Sequence, residues 1–260
     1  MNVELTIENG LALIKLNRPK ALNALSFSIL RELDAAMDQV LNAITKKTVR
    51  GLIFTGEGEK SFCAGADITE LMGRPVLHEH EGARIGQAVF SKIASLPVPS
   101  VAVIHGYAFG GGLELALACT FRVATPRAKM GLPEVKLGLI PGYGGTQRLP
   151  RLIGEGRALD IIMSGRTVEA EEAERIGLVN KVVEQGNPVE IGQEYLAPFL
   201  KHSLAALDFA RQAVMRGVAT TLDEGLRIER DLSTLAYQTA DAKEGMRAFI
   251  EKRPAQFNDS

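Results

Sequence analysis

Apolar and polar residues alternate over residues 3–7 and again over 11–16, on either side of Glu8-Asn9-Gly10. A two-residue period around Asn-Gly, a pair that accepts positive φ, predicts an opening β-hairpin. From residue 26 to 44 the period changes. Leu30, Leu33, Met37, Val40, Leu41 and Ile44 recur at helical spacing and Ser26 is available as an N-cap, so this stretch predicts an amphipathic helix. Residues 50–55 form a short buried strand, and a helix over 85–96 stops at Pro97 before a further strand over 100–105. A strand over 121–124 follows a helix of small residues, and 178–183 is the last one. Strand and helix in alternation predict an α/β body. From about Glu190 the pattern is helical only, with joints near Gly217 and Ala240, which divides the chain into a core over 1–190 and a helical region over 191–260.

Composition narrows this picture. A chain of 260 residues buries a sizeable core without disulfides or metal. Its 30 Lys and Arg against 31 Asp and Glu, net charge -1, supply no global field for nucleic acid or an anionic membrane. Cys63 and Cys119 sit among apolar or small residues with no metal-ligand spacing, which fits a reduced, cytoplasmic protein. Strand-like sequence from Val3 leaves no room for a signal peptide, and no apolar run reaches membrane-span length. The four histidines are scattered. His78-x-His80 would chelate a metal only from a strand, and reads better as solvent-facing; no metal site is expected. No Gly-x-Ser-x-Gly elbow is present, which argues against a serine hydrolase.

Four segments carry candidate chemistry. In His105-Gly106-Tyr107-Ala108-Phe109-Gly110-Gly111-Gly112-Leu113-Glu114-Leu115-Ala116, three glycines between a buried strand and a helix leave backbone N–H groups open to a ligand. Glu114 falls in the first helical turn, where side chains lean toward the N-terminus, so its carboxylate is expected to return toward those amides. The same turn equally suits tight packing of helix on sheet with Glu114 as a cap. In Pro133-Glu134-Val135-Lys136-Leu137-Gly138-Leu139-Ile140-Pro141-Gly142, Pro133 fixes the backbone before Glu134 within a mostly apolar and glycine stretch. Desolvation there would raise a carboxyl pKa, as a proton donor near neutral pH requires, although Pro-Glu is also a common surface helix start. The run Pro141-Gly142-Tyr143-Gly144-Gly145-Thr146 lacks the Gly-Lys-Ser/Thr ending of a phosphate loop.

In Ser61-Phe62-Cys63-Ala64-Gly65-Ala66-Asp67-Ile68, Ala64-Gly65-Ala66 is small enough to bring another amide against a ligand; an ordinary loop with Asp67 as N-cap fits as well. In Leu16-Asn17-Arg18-Pro19-Lys20-Ala21-Leu22-Asn23-Ala24-Leu25, Arg18 and Lys20 could meet phosphates or simply be solvated. Cys63 has no histidine nearby to activate it and reads as a small buried thiol.

In this order and spacing the four segments resemble the crotonase (enoyl-CoA hydratase and isomerase) superfamily, over residues 3–257. The resemblance implies an α/β fold of strand-strand-helix units wound into a spiral, with a helical C-terminal region that assembles homotrimers, commonly paired as hexamers. It implies an oxyanion hole made by the N–H groups of Ala66 and Gly111 and catalytic carboxylates at Glu114 and Glu134. Gly142 matches a glycine that shapes the site near the attacking water. Lys20, Ala21 and Leu22, with Ala64, Asp67 and Ile68, match positions lining CoA. In Glu244-Gly245-Met246-Arg247-Ala248-Phe249-Ile250-Glu251-Lys252-Arg253, Phe249 and Lys252 match residues reaching the CoA of a neighbouring subunit.

The implied activity is hydration of a 2-enoyl-CoA to a 3-hydroxyacyl-CoA, or the reverse, in fatty acid or branched-chain acyl-CoA degradation. No cofactor is implied, because CoA arrives as part of the substrate. Isomerases of the superfamily generally work with one carboxylate, so the pair points to hydration. An isomerase or specialised hydratase, a silent CoA-binding module and an RNA-binding relative are the alternatives, and the mixed helix over 31–38 gives the last no support. Ser233 departs from the pattern, standing where some hydratases carry an aromatic. Nothing in the pattern selects acyl length or branching.

Overall fold

The hairpin forms as the alternation predicts. β1 (Val3–Glu8) and β2 (Leu11–Leu16) are antiparallel with Glu8 opposite Leu11, and Asn9 and Gly10 take φ of 52° and 78°, the left-handed pair such a turn needs. A 3-10 turn over Pro19–Ala21 leads to α1 (Phe27–Thr45). The Ser26 hydroxyl accepts from the Ile29 N–H at 3.2 Å, and Leu30, Leu33, Met37 and Val40 form the buried face. The computed structural model describes residues 2–260.

The chain continues through β3 (Gly51–Gly56), β4 (Ser61–Cys63), α2 (Ile68–Leu71), α3 (Val76–Ala94), β5 (Ser100–Ile104), β6 (Tyr107–Phe109), α4 (Gly111–Ala118), β7 (Phe121–Ala124) and β8 (Lys129–Gly131). After a 3-10 turn over Glu134–Leu137 come α5 (Gly145–Ile153), α6 (Glu155–Ser164), β9 (Val168–Glu169), α7 (Ala170–Arg175), β10 (Lys181–Val182) and α8 (Pro188–Leu196). One sheet runs β1-β2-β3-β5-β7-β10 and a second runs β4-β6-β8-β9. From β3 to β8 successive strands alternate between the two sheets, and helices return the chain after each pair. Each strand-strand-helix turn thus adds one parallel strand to either sheet. β3 and β5 are buried at every position, as the near-continuous apolar runs of parallel strands require.

Three expectations are corrected. β4, β6 and β8 fall on residues for which the pattern predicts no strand, because three-residue strands show no period. α3 begins at Val76, well before residue 85; Val76 and Leu77 are 82% and 80% exposed, so its first turn has no apolar inward face for periodicity to register. His78 and His80 therefore sit exposed on a helix, where residues two apart do not share a face, and the strand geometry for chelation is absent. The last predicted strand shrinks to Lys181–Val182, since the Leu178 and Val179 N–H groups both donate to the Ala173 carbonyl in the turn after α7.

The described chain divides into two compact units, one comprising the residues up to Leu96 with Ser100–Tyr195, the other Pro97–Pro99 with Leu196–Ser260. The second unit holds α9 (Leu204–Val218), α10 (Leu222–Ala236) and α11 (Ala240–Ile250), with breaks close to the predicted joints. The hydroxyls of Ser203, Thr221 and Thr239 cap these three helices. Gly217 and Gly225 let α9 and α10 approach closely: a methyl at Gly225 would lie 3.4 Å from the Gly217 Cα. Among the described residues no helix is long and apolar enough to cross a membrane.

α4 is the tightest seam of the first unit. All eight of its residues are buried, as expected of a helix that is apolar on every side but for Glu114. A methyl at Gly112 would stand 2.0 Å from the Cys63 carbonyl oxygen of β4. Gly112→Ala is therefore expected to lower stability by roughly 1–3 kcal/mol through overpacking, read as a lower denaturant midpoint. An unchanged midpoint would contradict this seam.

Candidate active site

The first and second segments are stitched together by backbone. Ala64 N–H donates to the Leu22 carbonyl at 3.0 Å, Leu25 N–H to Gly65 at 2.7 Å, and Asp67 N–H to Leu25 at 2.8 Å. Lys20, Ala21 and Leu22 are thereby brought beside Ala64, Asp67 and Ile68. Asp67 also caps α2 and holds Arg18 through a 2.7 Å ion pair, which lowers its carboxyl pKa through the Thr69 and Arg18 hydrogen bonds. Arg18 is thus committed to Asp67, while Lys20 stays exposed.

Leu25 and Ala66 form an isolated parallel bridge. In such a bridge Leu25 bonds to the residues on either side of Ala66, so the N–H of Ala66 points the other way. Gly65, at φ +109°, brings this loop against α4: a methyl there would lie 3.0 Å from the Phe109 carbonyl oxygen and 3.7 Å from the Gly111 nitrogen. Gly111 is the first residue of α4, and a helix cannot satisfy its first N–H groups internally. Among the described residues no protein acceptor takes the N–H of Ala66 or Gly111. The structure thus juxtaposes two loops with open amides.

Glu114, one turn into α4, is 1% exposed. Its Oε1 accepts from the Tyr143 N–H at 2.8 Å and the Gly145 N–H at 2.7 Å. This corrects the expectation that it would return to the glycine-turn amides: its donors come from the loop before α5. Burial pushes its pKa up to about 7. The Gly145 N–H opposes the rise, the Glu134 charge adds to it, and the Tyr143 N–H and Arg148 guanidinium oppose it. Because the pKa lies above the ordinary 4.5, the stabilising contribution of the protonated group is complete below about 4.5 and is lost as pH rises toward about 7.

Glu134 opens the 3-10 turn after β8 and Leu132-Pro133. Its carboxylate lies against the glycine turn, since a methyl at Gly110 would meet Oε1 at 2.8 Å. Oε2 is buried without a hydrogen-bond partner, and burial raises the pKa. Two carboxyls of raised pKa therefore adjoin the turn that carries the open Gly111 amide.

Tyr143, Gly145 and Arg148 were missed as site residues. The Pro141–Thr146 run lacks the ending of a phosphate loop, and its Tyr143 and Gly145 amides serve a protein carboxylate instead. Arg148 is half-buried and donates to the Tyr143 carbonyl at 3.0 Å, holding the loop from the α5 side. At Gly142 the carbonyl accepts from Gln87 Nε2 at 2.9 Å, and a methyl would meet nothing within 4 Å, so the residue borders open space. Cys63 is buried with its thiol pushed up to about 12 by desolvation, as a structural cysteine should be. Phe249, Lys252 and Ser233 belong to the second unit. Phe249 on α11 is 86% exposed, Lys252 follows that helix with φ 53°, and Ser233 is exposed on α10.

Two alternating sheets thus carry a glycine-started buried helix, and a pair of desolvated carboxyls lies beside open amides. The pattern that defines the enoyl-CoA hydratase/isomerase family matches residues 6–260, and the chain belongs to that family. It is 42% identical to the crotonyl-CoA hydratase of Syntrophomonas wolfei, over 98% of this chain and 97% of that one. It is 40% identical to the short-chain-enoyl-CoA hydratase of Clostridium acetobutylicum, over 97% and 95%. The crystal structure of the enoyl-CoA hydratase of Bacillus anthracis superposes with a TM-score of 0.94 at 37% identity, covering both chains fully. The fold is accordingly that of the crotonases.

The two carboxyls are electrostatically linked, which a titration can read. In 13C spectra Glu114 is expected to titrate near 7. Glu134→Gln should lower that midpoint by removing a like charge and still leave it above the ordinary carboxylate range, because burial persists. A midpoint that stays put or rises would refute the coupling.

Proposed function

We propose that this protein is an enoyl-CoA hydratase, a hydro-lyase that adds water across the 2,3 double bond of a 2-enoyl-CoA and also catalyses the reverse dehydration. The observation that carries this reading is the pair of desolvated carboxyls, Glu114 and Glu134, beside the open amides of Ala66 and Gly111. The thioester oxygen accepts from those two N–H groups, which stabilise the enolate as charge develops; loss of one such preorganised donor typically costs roughly 3 kcal/mol in the barrier. Glu114, with Oε1 held by two amides, keeps Oε2 for water and takes its proton as oxygen attacks C3. Glu134 gives its proton to C2. The proton gained by one carboxyl balances the proton lost by the other, and exchange with solvent resets both. A pKa near neutrality suits each task.

Lys20, Ala21, Leu22, Ala64, Asp67 and Ile68 line the CoA moiety in this reading, and the open space at Gly142 gives the attacking water room. CoA enters with the substrate and no separate cofactor is invoked. The two free, buried cysteines fit a reducing, cytoplasmic setting. An isomerase needs only one carboxylate, so the raised pKa of both favours hydration. Assembly as a homotrimer or a pair of trimers, with Phe249 and Lys252 reaching a neighbour's CoA, is supported by exposed apolar side chains of the second unit: Val218, Leu222, Tyr237, Phe249 and Ile250.

Glu114→Gln and Glu134→Gln are each expected to slow hydration of crotonyl-CoA by roughly 100- to 10,000-fold while CoA still binds, measured by loss of enoyl absorbance and by calorimetry. Near wild-type turnover in either variant would overturn the assignment. Sedimentation equilibrium should return three or six copies of the 28.0 kDa chain; a monomer would remove the proposed inter-subunit role of Phe249 and Lys252.

A further inference from the structure

In the hydratase reading, on which this inference rests, the thioester oxygen sits at the Gly111 amide and C3 beside Glu114. Carbons beyond C3 must then pass whatever lies next to that carboxyl. The residue anchored there is Tyr143, whose N–H donates to Glu114 Oε1 at 2.8 Å. Its ring is confined between two glycines. A methyl at Gly86 of α3 would lie 2.3 Å from Cδ1 and 2.5 Å from Cε1, and a methyl at Gly111 would lie 3.3 Å from Cδ2 and 3.4 Å from Cε2. Phe90 meets the ring edge-on, with centroids 5.7 Å apart and planes at 86°. The residue is 8% exposed.

We propose that the Tyr143 ring is the wall that ends the acyl chamber, restricting the enzyme to short 2-enoyl chains. The ring fills the space between α3 and the start of α4, and Phe90 and Gly86 hold it there. Gly86 is glycine because any side chain would occupy the place of the ring. Charge lies near the hydroxyl: Arg74, Glu79 and Glu70 act on it electrostatically, in addition to Glu114. Arg74 and Glu79 form a 3.7 Å ion pair there, with Arg74 Nη1 and Glu79 Oε1 buried and without a hydrogen bond. A longer apolar tail would have to displace a packed aromatic and then lie against charged groups, which desolvation disfavours. Chain length is therefore set close to the reacting carbons.

The test is kcat/KM for crotonyl-, 2-hexenoyl-, 2-decenoyl- and 2-hexadecenoyl-CoA with the wild-type chain and Tyr143→Phe, Tyr143→Leu and Tyr143→Ala. The wild type should favour crotonyl-CoA over 2-decenoyl-CoA. Tyr143→Phe should keep that preference because it keeps the ring. Tyr143→Ala should raise the decenoyl-to-crotonyl ratio by about tenfold or more, the scale on which an apolar pocket discriminates chain length, with Tyr143→Leu intermediate. A ratio rather than a rate is read, so a general loss of activity from a disturbed Glu114 loop does not mimic the result. If Tyr143→Ala fails to fold, Tyr143→Leu and the wild-type profile decide. A wild type that hydrates decenoyl-CoA as well as crotonyl-CoA, or folded variants with an unchanged ratio, would overturn the wall while leaving the hydratase reading intact. A wild type that hydrates none of the four would overturn that reading, and the wall with it.

Discussion

The rest of the site depends on how one carboxylate is kept inside an otherwise apolar helix. α4 is buried at every position, and Glu114 is its one titratable residue. An unpaired charge there would cost several kcal/mol. Two backbone N–H groups, from Tyr143 and Gly145, converge on Oε1, and hydrogen bonds to a charged acceptor contribute roughly 1.5–3 kcal/mol each. Satisfying one oxygen leaves the other unclaimed. The pKa stays raised because desolvation outweighs the two bonds, and this partial compensation leaves the group able to exchange a proton near neutrality. Full compensation would have made it inert.

That arrangement constrains residues far from it in sequence. Gly145 admits no side chain without crowding Glu114, since a methyl would lie 3.1 Å from both Cγ and Oε1. The loop carrying these amides is pinned by Arg148 to the Tyr143 carbonyl and by Gln87 to the Gly142 carbonyl. On the opposite flank, Gly112 lets α4 begin against the β4 backbone, and that contact draws Gly65 and Ala66 beside Gly111. Backbone groups supply both the open donors and the clamp on Glu114. Side chains supply only the two carboxyls, so the open donors are fixed by the path of the backbone alone.

Much of the frame was legible because periodicity reports burial. The hairpin, α1, β3 and β5 announced themselves through alternation, helical spacing or an unbroken apolar run. β4, β6 and β8 did not, since three residues hold no period and their pairing is set by neighbours in the second sheet. The candidate carboxyls were visible as Glu114 after a glycine turn and Glu134 after a proline. The partners of Glu114 were not, because they are backbone donors 29 and 31 residues away. No side-chain motif marks an amide aimed inward. Pro141–Thr146 looked like a phosphate loop lacking its lysine because loops that present amides to an anion share glycine content, whether the anion is a ligand or a buried carboxylate.

The alternating sheets explain why such distant pieces meet. Each strand-strand-helix turn sends its first strand to one sheet and its second to the other, so the connections after β4, β6 and β8 occupy equivalent places in successive turns. Ala66 follows β4, Gly111 follows β6 and Glu134 follows β8. Three successive turns of the winding therefore deliver one open amide, then another with Glu114 behind it, then the second carboxyl. The short strands that escaped periodicity are the ones that set this register. Lengthening any of them would slide its following loop along the sheet and separate the two open amides or the two carboxyls.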